Sequence, residues 1–290
     1  MIKTLRKIIL WPFKFVAEFT NNVYKTLVYF TTKHLTTPNG IVRLSHSLDT
    51  KCKLRILGNG QSLSDILDDM NNQDQHEYMV VNRHVLSDSY ATIKPKFYTI
   101  ADSHFYQHEE GLSVMSMIND ITQWQMHLFI PYEPSAQKAV KKIISNPKIH
   151  IHFYNSGTYR GFPCIQKWLY NRNLSMPTSQ NVLVAALYLS LHLGFSDIEL
   201  YGVEHSWTRN LSVNEHNEVC LENPHFFDKS TGKTKTWKEI QHEEAHMHDV
   251  LRMYAQMFES YWDIKQIALQ RNAVIVNKTK GSFIDAFPKE

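Results

Sequence analysis

The sequence has few cysteines and no pair of them at metal-binding spacing. Cys52, Cys164 and Cys220 are the only three in 290 residues, and they are widely separated. This pattern excludes a disulfide framework and a cysteine zinc site, and it fits a reducing compartment. A large excess of charge is also absent, because the formal net charge is only +3. Since no basic run is interleaved with aromatic residues, we expect no nucleic-acid partner.

Apolar runs of membrane-spanning length are missing as well. Hydrophobic residues make up 43% of the chain and charged residues 20%, as in an ordinary folded protein. The length fits one large α/β domain with appendages. Nothing in the sequence resembles the small-residue cleavage site of a signal peptide, so we expect the protein on the cytoplasmic side.

The first 35 residues have the pattern of an amphipathic helix. Its apolar residues recur at steps of three and four, which places them on one helical face: Ile2, Leu5, Ile9, Phe13, Val16, Val23, Leu27 and Phe30. Lysines occupy the other side: Lys3, Lys7, Lys14 and Lys25. Such a helix suits the surface of an anionic bilayer, so residues 1–35 predict peripheral attachment to the inner face of the cell membrane. The alternative is a helix packed on its own domain or on a second subunit.

A polar, breaker-rich link at residues 36–40 separates this helix from a domain expected at residues 41–290. Seven short apolar runs predict strands at 54–57, 78–81, 97–101, 127–130, 149–153, 198–201 and 274–276. Helical patterns lie at 62–70, 111–124, 135–144, 179–193 and 237–270. The alternation predicts a Rossmann-like α/β fold, with a mainly parallel sheet and helices on both faces. Polar, aperiodic residues 203–235 predict a lid insertion over the ligand-binding edge.

The most informative motif is a glycine turn, GNGQSL, at residues 58–63. The glycines allow a backbone to approach a phosphate, and free amides at a helix start, with Ser62 as the cap, favour an anion there. We therefore expect nucleotide binding by four residues of the turn: Gly58, Asn59, Gly60 and Ser62. A tight turn without a ligand is the alternative, because Leu63 replaces the third glycine of the dinucleotide pattern.

Polar residues also follow other predicted strands. Asn82 and Asp102 stand where an open parallel sheet presents side chains to a ligand, although both residue types also cap turns. Thr178 and Ser179 precede an apolar helix, whose start can receive a phosphate or can simply be capped by a hydroxyl. Gly202 ends the strand at 198–201, and we include it in the expected nucleotide site.

Histidines supply the candidate general bases, because imidazole exchanges protons near neutral pH. His205 follows Gly202, although a structural histidine is the alternative there. His225 in the expected lid and His248 near the start of the last helix are the other two candidates. Residues 242–246 read HEEAH, formally a zinc-peptidase pattern, but Glu244 is charged where that pattern needs an uncharged residue and no third ligand follows. We expect no metal and no cofactor.

The motifs and their order along the chain resemble those of bacterial lipooligosaccharide sialyltransferases, which use CMP-sialic acid and begin with a GNGPSL turn. The similar positions are residues 58–63, Asn82, the Thr178–Ser179 pair and the stretch GFSDIELYGVEHS at 194–206. The resemblance covers roughly residues 54–287 and includes the closing segment VNKTKGSFIDAF. It implies a Rossmann-like sugar transferase that needs no metal, in which a histidine deprotonates the acceptor hydroxyl.

The chain departs from that family at two points. Ser206 stands where the family has the first of its phosphate-binding tyrosines, and His225, His246 and His248 compete for the position of the base. The glycine turn also resembles 6-hydroxymethylpterin diphosphokinase-like domains, which implies pyrophosphate transfer from ATP. We expect a glycosyltransferase that moves a sugar from a nucleotide donor, a CMP-sugar, to a cell-surface glycan or glycolipid. The alternatives are such a pyrophosphokinase and a non-catalytic nucleotide-binding module.

Overall fold

The computed structural model describes residues 2–32, 39–64, 76–222, 234–241 and 243–290. The described strands are β1 (Lys53–Leu57), β2 (His76–Val81), β3 (Phe97–Thr99), β4 (Met126–Pro131), β5 (Ile149–Tyr154), β6 (Asp197–Tyr201), β7 (Leu211–Val213), β8 (Val219–Leu221), β9 (Lys235–Thr236) and β10 (Val274–Asn277). The described helices are α1 (Ile2–Thr32), α2 (Asn39–Ser47), α3 (Tyr90–Ile93), α4 (His104–Gln107), α5 (Glu109–Ile121), α6 (Pro134–Ile143), α7 (Pro163–Asn171), α8 (Val182–Leu193), α9 (Trp237–Gln241) and α10 (Met247–Gln270).

Seven strands form one sheet in the order β10-β6-β1-β2-β3-β4-β5, and every neighbouring pair is parallel. All seven strands predicted from the sequence are confirmed. Strand β1 is central and almost wholly buried, which is the usual environment of a strand covered on both faces. The Rossmann-like α/β class is therefore confirmed.

The two faces of the sheet are covered by different helices. On one face, β1 contributes Leu54 and Ile56 to a core that includes residues of α2, α8 and α10. On the other face, Leu57 belongs to a core built with α4, α5 and α6. Helix α8 is apolar all round and buried, as expected of a helix enclosed by other elements.

The strand order reverses at β1. The chain moves outward from β1 through β2, β3, β4 and β5, and then returns through α8 to β6 on the opposite side of β1. Leu57, the last residue of β1, lies opposite Tyr201, the last residue of β6. In open parallel sheets, ligands bind in the crevice beyond the carboxyl ends of the strands at such a switch point. The residues that follow β1 and β6 therefore occupy the position where a ligand is expected.

An insertion follows β6, as the sequence predicts. Strands β7, β8 and β9 form a small antiparallel sheet, and it shares an apolar cluster with α9 and the first turns of α10. Tyr261 of α10 contacts His205 at the carboxyl edge. The part of α10 that precedes Tyr261 measures roughly 20 Å along the helix axis. Residues 223–233 lie outside the described part of the chain, and a lid function stays a prediction.

Several helix predictions need correction. The helix predicted at 237–270 is two helices, because His246 and Asp249 form a capping box that starts α10. Asn39 and Gly40, predicted as link, are the first residues of α2. Helix α7 was not predicted. Of the helix predicted at 62–70, the structure describes a single 3-10 turn at Gln61–Leu63, and residues 65–75 lie outside the described part.

Helix α1 contacts the domain through side chains of its C-terminal half. The Tyr29 hydroxyl donates to the carbonyl of Leu174 at 2.6 Å, and Thr26 hydrogen-bonds to the Tyr159 hydroxyl at 2.7 Å. An adjacent apolar stripe has side chains that are 36 to 61% exposed: Val16, Phe19, Val23, Leu27 and Phe30. Phe19 at the edge of this stripe also packs on Phe162, with ring centroids 5.5 Å apart, so packing on its own domain describes the Tyr29 face and only the edge of the stripe. Among the described helices, none combines the length and the hydrophobicity needed to cross a bilayer.

Candidate functional site

The turns that follow β1 and β6 are in direct contact. The amide of Gly58 donates to the carbonyl of Tyr201 at 2.8 Å, and the amide of Gly60 donates to that of Gly202 at 2.9 Å. A Cβ atom on Gly58 would clash with the Gly202 carbonyl oxygen and lie 2.8 Å from Cγ1 of Val203. Gly202 itself has a φ of +64°, which favours glycine. Packing between the two turns therefore requires the glycines.

The Glu204 carboxylate occupies the interior of the glycine turn. The amide of Ser62 donates to its Oε1 at 2.6 Å, and a Cβ atom on Gly60 would overlap Oε2. The expectation that the amides of Gly58, Gly60 and Ser62 are free for an anion is wrong in this structure. Within the described residues, the turn keeps two amides without a hydrogen bond, those of Asn59 and Gln61. The Glu204 carboxylate is itself an anion, so it takes the place that the sequence predicts for a ligand anion.

Glu204 was absent from the residues expected to bind the nucleotide. The available signal was its position two residues after Gly202, at the carboxyl end of a strand. The C-terminal segment holds it in place, because the amide of Phe283 donates to the Glu204 carbonyl at 2.8 Å. The hydroxyl of Ser282 also donates to the carbonyl of Val203 at 2.7 Å. The Glu204 backbone is therefore fixed at the carboxyl end of β6.

Two oxygens predicted to bind a ligand are buried and lack partners. Among the described residues, neither Ser62 Oγ nor Asn82 Oδ1 makes a hydrogen bond. Buried polar atoms are satisfied in the great majority of cases, so each exception needs a reason. Asn82 also has a φ of 47°, an uncommon conformation outside glycine. The expected role of Ser62 as a helix cap is wrong, because its hydroxyl caps nothing.

Asn59 joins the glycine turn to the end of β2. Its Nδ2 donates to the carbonyl of Val81 at 3.1 Å, and its Oδ1 lies 3.3 Å from Nδ1 of His84. His84 is fully buried, and burial lowers its pKa to about 3. Sequence patterns alone did not single out His84. The Asn59 side chain therefore positions the turn, while the Asn59 backbone amide has no hydrogen-bond partner among the described residues.

The remaining expected binding residues make local contacts. Asp102 is exposed and its Oδ1 accepts the amide of His104 at 2.9 Å, which is the turn-capping alternative. Asn181, rather than Thr178 or Ser179, caps α8, and its Oδ1 accepts the amide of Leu183 at 2.8 Å. The alternative of a Ser or Thr cap is therefore wrong, and ligand binding by Thr178 and Ser179 stays a prediction.

His205 is buried and its two ring nitrogens are both engaged. Nε2 lies 3.1 Å from the Tyr261 hydroxyl, and Nδ1 lies 3.3 Å from the carbonyl of Val203. Asn181 Nδ2 donates to the same Tyr261 hydroxyl at 2.9 Å. Burial lowers the pKa of His205 to about 4, so the ring is neutral at pH 7. This geometry matches the structural alternative, because the ring joins the β6 turn to α8 and α10.

Of the other two candidate bases, the structure describes His248 but not His225. His248 is exposed near the start of α10, with Nε2 3.2 Å from Oδ1 of Asp249. His225 lies outside the described residues, as does His242 of the HEEAH sequence, while His246 caps α10. No group of three or more His, Cys, Asp or Glu residues suited to a metal ion occurs in the described part. The identity of the base stays a prediction.

Comparisons with known proteins find similarity in structure but not in sequence. No protein-family model matches the chain, and no curated protein matches its sequence. Among solved structures, the sialyltransferase CstII from Campylobacter jejuni, determined in complex with the substrate analogue CMP-3FNeuAc, is similar with a TM-score of 0.44 and 14% sequence identity. The alignment covers 82% of this chain and 86% of CstII. The fold class stated above rests on the strand order itself.

Proposed function

We propose that this protein is a glycosyltransferase that moves a sugar from a nucleotide donor to a glycan or glycolipid acceptor. The observation that carries the proposal is the pair of partnerless, buried oxygens, Ser62 Oγ and Asn82 Oδ1, at the switch point of the parallel sheet. Ligands of open α/β sheets bind at this place. A ligand that hydrogen-bonds to both oxygens removes the cost of leaving them unsatisfied.

The groups around these oxygens suit a nucleotide with free hydroxyls. A carboxylate at a strand end accepts ribose hydroxyls in dinucleotide-binding folds, and we assign that role to Glu204. Binding would then move the carboxylate off the Ser62 amide and give that donor to the phosphate, beside the amides of Asn59 and Gln61. Because the sequence resembles sialyltransferases that use CMP-sialic acid, we propose that the nucleotide is CMP.

The reaction requires a nucleophile and a base. An acceptor hydroxyl oxygen attacks the anomeric carbon of the donor sugar, the bond from that carbon to the phosphate oxygen breaks, and the nucleotide departs with the bonding electrons. A base takes the proton of the hydroxyl. The ring nitrogens of His205 already have partners, so we propose that the base is one of the other two candidates, His225 or His248.

A donor screen tests the proposed function. Purified protein is incubated separately with CMP-, UDP- and GDP-sugars and with ATP, with and without a chelator, and release of the free nucleotide is measured. We expect consumption of a CMP-sugar in the presence of chelator. Consumption of ATP alone, lost on chelation, would favour the pyrophosphokinase, which needs a divalent metal. Nucleotide binding without any turnover would favour the binding module.

A matched pair of serine substitutions tests the assigned site. Ser62→Ala removes the partnerless hydroxyl and is expected to lower kcat/KM for the donor at least about tenfold, equivalent to about 1.4 kcal/mol. Ser64→Ala removes an exposed hydroxyl two residues away, which donates to the Gln61 carbonyl at 2.8 Å. Equal activity of the two variants would place the nucleotide elsewhere.

We further propose that α1 holds the enzyme on the inner face of the cytoplasmic membrane, next to a lipid-linked acceptor. The exposed apolar stripe supports this, and so does the charge distribution. Residues 1–32 contain five basic residues and one acidic residue, whereas the rest of the chain has 26 basic and 27 acidic residues. Positive charge beside an apolar stripe is the combination that binds anionic bilayers.

Vesicle sedimentation tests the membrane proposal. Leu27→Asp places a charge in the stripe and is expected to weaken binding to phosphatidylglycerol vesicles at least about tenfold, because burial of one leucine contributes about 2 kcal/mol. Tyr24→Asp is the control, since Tyr24 is 65% exposed but lies outside the stripe. Unchanged binding by Leu27→Asp would assign the stripe to a protein contact instead.

A further inference from the structure

A polar cleft runs between α7 and α10, away from the glycine turn. It consists of two neighbouring hollows of about 180 and 170 Å³, and Gln166, Tyr170 and Asp263 line both. A neighbouring face of α7 carries Leu169, which packs with Tyr29 of α1. The cleft therefore lies next to the residues that hold α1, since Arg160 lines it and Tyr159 contacts Thr26 of α1.

Asp263 has an unusual environment in this cleft. Burial raises the pKa of its carboxyl group, and the nearby Glu259 adds to that effect. Within the part of the chain that the structure describes, the carboxylate makes no hydrogen bond and no ion pair. An unpaired, partly buried charge lowers the stability of the folded chain. A ligand that donates hydrogen bonds to the carboxylate would reduce that penalty.

Arg160 stands near Asp263 without pairing with it. Its positive charge lowers the pKa of Asp263, but its Nε and Nη2 donate to Thr178 Oγ1 at 2.8 and 2.5 Å. The cleft thus offers an acceptor and a planar donor that do not satisfy each other. Two glutamine side chains, Gln166 and Gln256, add uncharged donors and acceptors to the lining.

The cleft is joined to the candidate nucleotide site by hydrogen bonds. Ser260 lines the cleft and donates to the carbonyl of Thr178 at 2.9 Å. The next residue, Tyr261, contacts His205 Nε2 at the carboxyl edge of the sheet. A molecule in the cleft therefore lies between the α1 side of the protein and the place assigned to the donor.

We propose that the α7–α10 cleft binds a sugar unit of the acceptor through Asp263 and Arg160. Adjacent sugar hydroxyls both donate and accept hydrogen bonds, so they suit a carboxylate and a guanidinium that face one space. This inference rests on the proposed function and deepens it, because it names the class of acceptor and the place where the acceptor binds. It also explains why α1 is attached beside α7: a lipid-linked glycan would reach the cleft from the membrane surface.

Ligand-detected NMR tests the inference with three defined probes. The methyl β-glycosides of galactose, glucose and N-acetylglucosamine are each titrated against the full-length protein by saturation-transfer difference. We expect binding of at least one probe, weakened at least about tenfold by Asp263→Asn and by Arg160→Gln. Asp197→Asn is the control, since Asp197 is exposed at the amino edge of the sheet. Circular dichroism checks that each variant is folded.

The outcomes separate this inference from the proposed function. Wild-type protein that consumes a nucleotide sugar but binds none of the glycosides, or binds them equally well in both cleft variants, would overturn the inference alone. Glycoside binding that depends on Asp263, without consumption of any donor, would support the cleft and contradict the glycosyltransferase. Displacement of the glycoside by the nucleotide sugar but not by CMP would mean that the cleft holds the donor sugar, which also overturns the inference.

Discussion

Within the described part of the chain, the junction of the β1 and β6 turns has a hydrogen-bonded backbone beside two partnerless oxygens, Ser62 Oγ and Asn82 Oδ1, whereas in the α7–α10 cleft a whole carboxylate lacks a partner. At the junction, the amides of Gly58 and Gly60 have partners, and Glu204 accepts the amide of Ser62. In the cleft, Asp263 has no partner among the described residues. Satisfied groups stabilise the folded chain, whereas unsatisfied groups in a cavity lower its stability and favour a ligand. Substitutions in the two regions should therefore affect stability differently.

The largest expected effect is that of Gly58→Ala. The added methyl group meets the backbone of Gly202, which cannot move without breaking the contact between the turns. We expect a loss of about 3 kcal/mol or more in the free energy of unfolding, measured with urea. Gly281→Ala is the control, because Gly281 has a φ of +73° but open space around it. It should lose only about 1 kcal/mol from backbone strain, and an equal loss in both variants would contradict the packing explanation.

Gly60→Ala should lower the free energy of unfolding by about 2 kcal/mol, which is less than the loss expected for Gly58→Ala. The main obstacle to the new methyl group is the Glu204 carboxylate, which can move. In a Glu204→Ala background, the loss should shrink by at least about 1 kcal/mol. It should not vanish, since the Gly202 oxygen would still lie 2.7 Å from the new methyl group. A double-mutant cycle in urea measures this coupling. Additive effects would show that the carboxylate does not occupy the turn in solution.

Stability should also depend on pH through His205. Its pKa is about 4 in the folded protein and near 6.5 in the unfolded chain, so the unfolded chain binds more protons between these values. The contribution is complete above pH 6.5 and is lost as the pH falls toward 4, by about 2 kcal/mol at pH 5. Urea unfolding at pH 7.5 and 5.0 measures the loss in the free energy of unfolding between these two pH values. In His205→Asn this loss should be smaller by about 2 kcal/mol. An unchanged pH dependence in the variant would mean that His205 is not buried as described.

The smallest expected effect is that of Asp263→Asn. Because burial disfavours the charged carboxylate, its neutral replacement should leave the unfolding free energy at pH 7 unchanged, or raise it by up to about 0.5 kcal/mol. Glu199→Gln is the contrasting variant, because the Glu199 carboxylate is paired with Lys53 at 2.9 Å and Arg55 at 3.2 Å. Breaking such a buried pair should cost about 3 kcal/mol. Similar losses in both variants would mean that the Asp263 carboxylate is paired in solution.

The sequence predicted the strands and the position of the glycine turn because both are local patterns. Each strand is a short apolar run between breakers, and the turn directly follows one of them. The role of the glycines was misjudged because it depends on a residue far along the chain: Glu204 occupies a turn that ends 141 residues earlier, at Leu63. Helix α7 was missed because it is short, and Pro163 at its first position was not recognised as a helix start. The cleft depends on tertiary packing, which brings Arg160 and Asp263 to one space.

The central claim is that a nucleotide binds over the carboxyl ends of β1 and β6. A crystal structure of the protein with CMP tests it most directly. The account predicts the nucleotide within hydrogen-bonding distance of Ser62 Oγ and Asn82 Oδ1, with the Glu204 carboxylate rotated away from Gly60 and the Ser62 amide facing the phosphate. A nucleotide bound elsewhere, with Glu204 still hydrogen-bonded to the Ser62 amide, would contradict it.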